Sequence, residues 1–114
     1  MKEGIESEVI DPRTLVPFDM ETLKASLDKT NRLLIVEEDN FTNGWGAEIA
    51  ARVVEECLYL LEAPVKRVAA YDVPVPYSLG LSNMLCLLPG VLLMQFIRFW
   101  KSDLANDWRK KMLR

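Results

Sequence analysis

The sequence predicts an α/β domain, a three-layer α/β/α arrangement around a small, mostly parallel sheet. Three observations lead there. Apolar strand signals alternate with amphipathic helical periods in the order strand, helix, strand, helix, strand, the order of parallel strands joined by covering helices. Arg32 to Val36 is a nearly unbroken apolar run, as expected of a central strand buried on both faces. The composition, 50% apolar and 27% charged over 114 residues, suits one domain with one core.

The first strand is expected over Ser7 to Asp11, where Val9 and Ile10 are apolar and Pro12 ends the ladder because it has no N–H. Asp19 then has the chemistry of a helix N-cap, and Glu21 falls in the first turn where exposed N–H groups favour negative charge. A helix follows over residues 20–29. Met20, Leu23 and Leu27 share its buried face, and Lys24 with Asp28 forms an expected i,i+4 pair on the other side. Asn31 suits the left-handed residue after the helix, and the second strand runs over residues 32–37.

Glu37, Glu38 and Asp39 are read as the solvated end of that strand. The turn Asn43-Gly44-Trp45-Gly46 leads into a second helix over residues 46–61. Ile49, Ala50, Val53, Cys57, Leu60 and Leu61 line its inner face, with Glu48 and Arg52 paired outside. Ala63-Pro64 closes this helix, and a third strand covers residues 65–70, with Lys66 and Arg67 as ordinary strand charges.

Charge and composition exclude several functions. A net charge of -3, from 17 acidic and 14 basic residues, offers no cationic field for nucleic acid. Two cysteines, Cys57 and Cys86, make neither a disulfide framework nor a metal cluster and fit a reducing compartment. The chain has no histidine, so the commonest general base is missing and an autonomous hydrolase is disfavoured.

The remaining chemistry is sparse. Glu37 and Glu38 stand at a strand's C-terminal end, where α/β folds place ligands, but adjacent strand residues point to opposite faces and make a poor acid–base couple. Gly44 and Gly46 are read as accommodating positive φ in a tight turn. An anion held by N–H groups at that helix start is the weaker alternative, since no phosphate-binding fingerprint accompanies it. Trp45 covers either the sheet edge or a partner. Asp11 and Arg13 are expected to form a local latch.

The segments Glu8 to Asp19, Lys29 to Glu38, Gly44 to Arg52, Leu61 to Val68 and Asp72 to Tyr77 resemble, in order, the transketolase C-terminal-type domain of the beta subunit of thiamine-diphosphate-dependent 2-oxoacid dehydrogenases. The resemblance covers about Lys2 to Ser78. It implies a domain truncated on its N-terminal side, since family members carry a further strand and helix ahead of Glu3. It also implies a fragment of a pyruvate or branched-chain enzyme that contributes to subunit assembly rather than catalysis. The complete enzymes use thiamine diphosphate and Mg, and their partners are alpha and beta subunits and a lipoyl core enzyme. Their catalytic histidines and most cofactor contacts lie outside the matched region. No catalytic, cofactor-binding or metal residue carries over, and no cofactor is expected on this chain alone.

Residues 1–78 are thus read as a partial transketolase C-terminal-like domain, and residues 79–114 as a divergent tail, apolar and then basic. No charge occurs from Val73 to Ile97, but Pro74, Pro76, Gly80, Pro89 and Gly90 interrupt this run, which argues against the roughly 20-residue apolar helix a membrane span needs. The alternative to a dehydrogenase fragment is a small membrane-associated or partner-binding protein. A cytoplasmic location is expected, because the opening residues resemble no targeting segment. The interface candidates are Glu38, Gly44, Trp45, Gly46, Pro76 and Tyr77.

Overall fold

A computed structural model describes residues 6–74, together with 77, 78 and 80. Its elements run helix α1 (Met20–Thr30), strand β1 (Leu34–Asn40), helix α2 (Trp45–Cys57), a short 3-10 turn (Leu58–Leu60) and strand β2 (Lys66–Ala70). The α/β class and the parallel pairing follow the sequence. β1 and β2 run parallel, with Leu34 opposite Lys66, Ile35 opposite Arg67 and Val36 opposite Val68. The ladder is irregular between Val36 and Asn40.

α1 begins where its sequence dictates. The Asp19 carboxylate accepts the Thr22 backbone N–H at 3.0 Å and the Thr22 hydroxyl at 2.6 Å, satisfying donors that a helix start leaves open. It ends at Asn31, left-handed at φ 54°, whose N–H donates to the Leu27 carbonyl at 2.8 Å. The Asn31 amide also donates to the Leu60 carbonyl at 3.0 Å, while Asn31 O accepts from Glu62 N–H at 2.9 Å. One residue therefore ends α1 and ties it to the chain after α2. α2 stops at Cys57 and continues as a 3-10 turn instead of reaching residue 61.

The core joins both helices to β1. Met20, Leu23 and Leu27 from α1, Ile35 from β1, and Ile49, Val53 and Cys57 from α2 are all buried in one cluster. Trp45, Ala50, Leu60, Leu61 and Val65 pack around it half-buried. Cys57 is a free thiol, pushed above its usual pKa by burial.

Three expectations of the sequence are corrected. Ser7 to Asp11 forms no ladder: Ile10 packs against the core and Glu8 reaches α1, where Lys29 lies 3.4 Å away. A groove of about 660 Å³, lined among others by Val9, Leu34 and Val36, separates this segment from β1. Lys24 pairs not with Asp28 but with Glu21 at 3.5 Å and with Glu56 of α2 at 3.0 Å, because packing brings α2 within its reach. Arg52 pairs with Glu56, one turn further along α2, at 3.4 Å and not with Glu48 one turn before it.

Candidate functional site

The densest polar arrangement lies where β1, β2 and the start of α2 meet. Glu37 follows Ile35 by two residues and shares its face, since side chains alternate along a strand. The register places Arg67 opposite Ile35. Both facts aim Glu37 and Arg67 at the same space.

The contacts that result are short and buried. Arg67 donates to Glu37 Oε1 through Nε at 3.0 Å and Nη2 at 2.5 Å. The other oxygen, Oε2, accepts the Gly46 backbone N–H at 2.7 Å. The Glu37 side chain is 0% exposed, so both carboxylate oxygens are satisfied where water is excluded. Arg67 also lies over the Phe41 ring, 4.7 Å from its centroid, a favourable cation–π placement.

This corrects the reading of Glu37 as a solvated strand end. The strand continues to Asn40, with Glu38 and Asp39 exposed and Glu37 turned inward. It also corrects the reading of Arg67 as an ordinary strand charge, since its side chain is 12% exposed and held by Glu37. The signal for both was present in the alternation from Ile35 to Glu37, but the register with Arg67 was needed to read it.

The glycines serve close approach rather than positive φ. A Cβ on Gly46 would lie 2.8 Å from the Glu37 carboxyl carbon and 2.9 Å from Ile35 Cγ2. Gly44 has φ -64°, and a Cβ there would meet Glu37 Oε2 at 2.9 Å. The positive φ of this turn, 62°, belongs to Asn43. The end of the turn is closed by Asp72, which accepts the Thr42 N–H at 2.8 Å and hydroxyl at 2.6 Å. Those two bonds hold the Asp72 carboxyl below its usual pKa.

Chemically, the arrangement is an internal clasp. The N–H groups at the start of α2 attract an anion, and the chain itself supplies one in Glu37. Among the described residues no group of three or more His, Cys, Asp or Glu side chains is placed to hold a metal ion.

The interface candidates fall in different environments. Gly44 and Gly46 are buried, Trp45 is half-buried against the core, and Glu38 is exposed on β1. Tyr77 is fully exposed, and Pro76 lies outside the described residues. Asp11 and Arg13 do form the expected pair at 3.4 Å, but both are exposed, which limits its contribution to stability. No helix of the described residues is long and apolar enough to cross a membrane; most of the run from Val73 to Ile97 lies outside them.

A parallel βαβ unit clasped at the strand end, preceded by an N-capped helix, defines a small α/β domain. The chain belongs to the family of the transketolase C-terminal domain, whose model matches residues 1–89. The particular relatives are dehydrogenase subunits. The chain is 51% identical over 83 residues to the pyruvate dehydrogenase E1 component subunit beta-2, mitochondrial, of Oryza sativa subsp. japonica, covering 73% of this chain and 22% of that one. It is 54% identical over 74 residues to the 2-oxoisovalerate dehydrogenase subunit beta 2, mitochondrial, of Arabidopsis thaliana, covering 65% and 21%. Against the 2-oxoisovalerate dehydrogenase subunit beta of Pseudomonas aeruginosa the identity is 45% over 75 residues, covering 66% and 21%. The match spans about a fifth of the length of these curated relatives.

Proposed function

We propose that the chain is part of the beta subunit of a thiamine-diphosphate-dependent 2-oxoacid dehydrogenase and acts in subunit assembly rather than in the chemical step. The observation that carries this reading is the state of the strand-end site. Where an α/β domain would receive an anionic ligand, Glu37 already occupies the Gly46 N–H and Arg67. The absence of histidine from the sequence removes the other ready source of acid–base chemistry. Thiamine diphosphate and Mg then belong to the complete enzyme and are held by residues outside this chain.

The partners on this reading are alpha and beta subunits and the lipoyl core enzyme. Similarity to beta subunits named for pyruvate and for 2-oxoisovalerate, 51% and 54% identical, supports the 2-oxoacid class and favours neither substrate. Glu38, Trp45, Pro76 and Tyr77 are the contact residues, with the buried Gly44 and Gly46 on either side of Trp45 allowing the turn to lie close against Glu37. The free thiol of Cys57 is compatible with a reducing compartment, and the cytoplasm is the proposed location. Several relatives are themselves named as mitochondrial, so fractionation of tagged chain decides this point.

Two measurements test the function. Purified chain assayed on pyruvate and on branched-chain 2-oxoacids, with thiamine diphosphate and Mg²⁺, should give background rates; turnover that disappears without thiamine overturns the assembly role. Trp45→Ala should weaken association with dehydrogenase subunits by about 2 kcal/mol while leaving the circular dichroism spectrum unchanged. Unfolding without a separable binding defect would assign Trp45 to the core alone.

A further inference from the structure

The outer side of α2 leaves aliphatic side chains in solvent. Val54 is 47% and Leu58 58% exposed, and with Ala50 they line a shallow groove that Leu61 and Pro64 also border. Ala50 and Val54 are one helical turn apart and share a stripe, which Leu58 extends into the 3-10 turn. The rim is acidic. Glu55 and Glu62 line it, both are exposed, and neither carboxylate has an ion-pair partner among the described residues. Apolar walls gain by being covered, and the two glutamates select an occupant that carries positive charge beside its apolar stretch.

Such a stretch stands in the chain's own sequence. Val91-Leu-Leu-Met-Gln-Phe-Ile97 carries no charge and is followed by Arg98 and Lys101, with no acidic residue before Asp103. These residues lie outside the described ones, and their reach is ample. The groove borders the start of β2 through Pro64 and Val65, and the chain leaves β2 at its other end, about 17 Å away for a five-residue strand. From Ala70 to Val91 the backbone can extend to about 70 Å, several times that distance. A tethered segment also meets its own groove at an effective concentration on the order of millimolar. A second copy laid face to face would instead set Glu55 and Glu62 against their own kind, which costs energy.

We propose that residues 91–97 of this chain dock in the groove beside α2, with Arg98 and Lys101 set against Glu55 and Glu62. The apolar residues supply the burial, and the charge pairs fix which way the segment lies. The exposed stripe of α2 is thereby closed by the chain itself and is not a surface for other molecules. This contact stands apart from the assembly role and from the turn that carries Trp45, and it requires neither.

The test uses the full chain and reads the rate of chymotryptic cleavage after Phe96, Phe99 and Trp100 by mass spectrometry. Glu55→Lys with Glu62→Lys should release the segment and raise that rate at least tenfold, and so should Arg98→Glu with Lys101→Glu. Combining all four changes restores opposite charges across the contact and should bring the rate back toward that of the wild-type chain. Glu21→Lys with Asp28→Lys, an equal charge change on α1, should leave it unchanged. Circular dichroism checks that each variant keeps its fold, and the fourfold variant keeps the test decisive if one of the double variants does not. Equal cleavage of the wild-type chain and the folded Glu55/Glu62 variant, or no recovery in the fourfold variant, overturns the proposal. Carbodiimide cross-linking of an equal mixture of unlabelled and isotope-labelled chains identifies the occupant. Links from Glu55 or Glu62 to Lys101 within one chain support the proposal, and links found only between differently labelled chains overturn it in favour of a second copy. Protection of the segment that appears only once phosphatidylcholine vesicles or a dehydrogenase subunit are added also overturns it.

Discussion

The two helices of this domain start in different ways. α1 is capped from within its own sequence: Asp19 accepts the N–H and hydroxyl of Thr22, three residues on. α2 starts at Gly44, which has no side chain to cap with, and its Gly46 N–H is taken by Glu37 from the preceding strand. A local cap fixes one helix end and little else. The imported cap also couples the helix to Arg67 on β2, so three elements stand or fall together. The same requirement for a donor partner is therefore met once by sequence proximity and once by tertiary placement.

Breaking the imported cap should have the larger effect. Glu37→Ala leaves the largely buried Arg67 guanidinium without its carboxylate, and loss of one partner from a buried pair costs about 3–5 kcal/mol. Chemical denaturation should register this as a lower midpoint with the slope retained. A double replacement, Glu37→Leu with Arg67→Met, should be less destabilised than Glu37→Ala, because neither charge is then stranded in the interior. If the double variant is instead the worse of the two, the pair contributes net stability beyond its own desolvation cost.

Gly46→Ala comes next. The added Cβ has no space against the Glu37 carboxyl and Ile35, and overpacking of this kind costs about 1–3 kcal/mol. In an ordinary exposed helix the same substitution would stabilise, so the sign of the change distinguishes close approach from helix propensity. A stabilised Gly46→Ala variant would mean that the clasp yields easily.

The local cap should show the smallest effect, and a pH signature. Hydrogen bonds from Thr22 hold the Asp19 carboxyl below its usual pKa, so its folded value lies under its unfolded one. Asp19 therefore contributes stability that is fully present above the unfolded value and is lost as pH falls through the folded value. Asp19→Asn, which retains a capping oxygen without the titration, should keep most of the stability at neutral pH and flatten its fall in acid. Thermal unfolding of both proteins from neutral pH down to the acid range measures the difference; parallel curves would remove Asp19 from the acid response.

Legibility in the sequence follows the same division. Asp19 as N-cap, Met20, Leu23 and Leu27 as a buried face, and Asn31 as the left-handed helix end were all readable, because each depends on residues within a turn or two. β1 and β2 were found as apolar runs, with the end of β1 placed three residues early because Glu37, Glu38 and Asp39 look alike when only composition is considered. Ser7 to Asp11 has the composition of a strand, but a strand is made by a neighbour's hydrogen bonds, and here its side chains go to α1 and the core instead. The Lys24 pairing differs for a related reason: Glu56 of α2 is brought near α1 only by helix packing, whereas Arg52 had two i,i+4 carboxylates on its own helix and pairs with Glu56.

By itself the sequence determined the α/β class, the order of the elements from α1 onward, the inner faces of both helices and the end chemistry of α1. Those are set by periodicities and side-chain-to-backbone bonds that act over a few residues. Only the tertiary structure decided that Glu37 turns inward, that Arg67 and Gly46 hold it, and that the glycines of the turn are needed for room rather than for an unusual φ. Residues 37 and 67 are distant in sequence and meet through the parallel register of β1 and β2. A charge is stable in an interior only when such a meeting supplies its partners, and no local pattern records where the partner will come from.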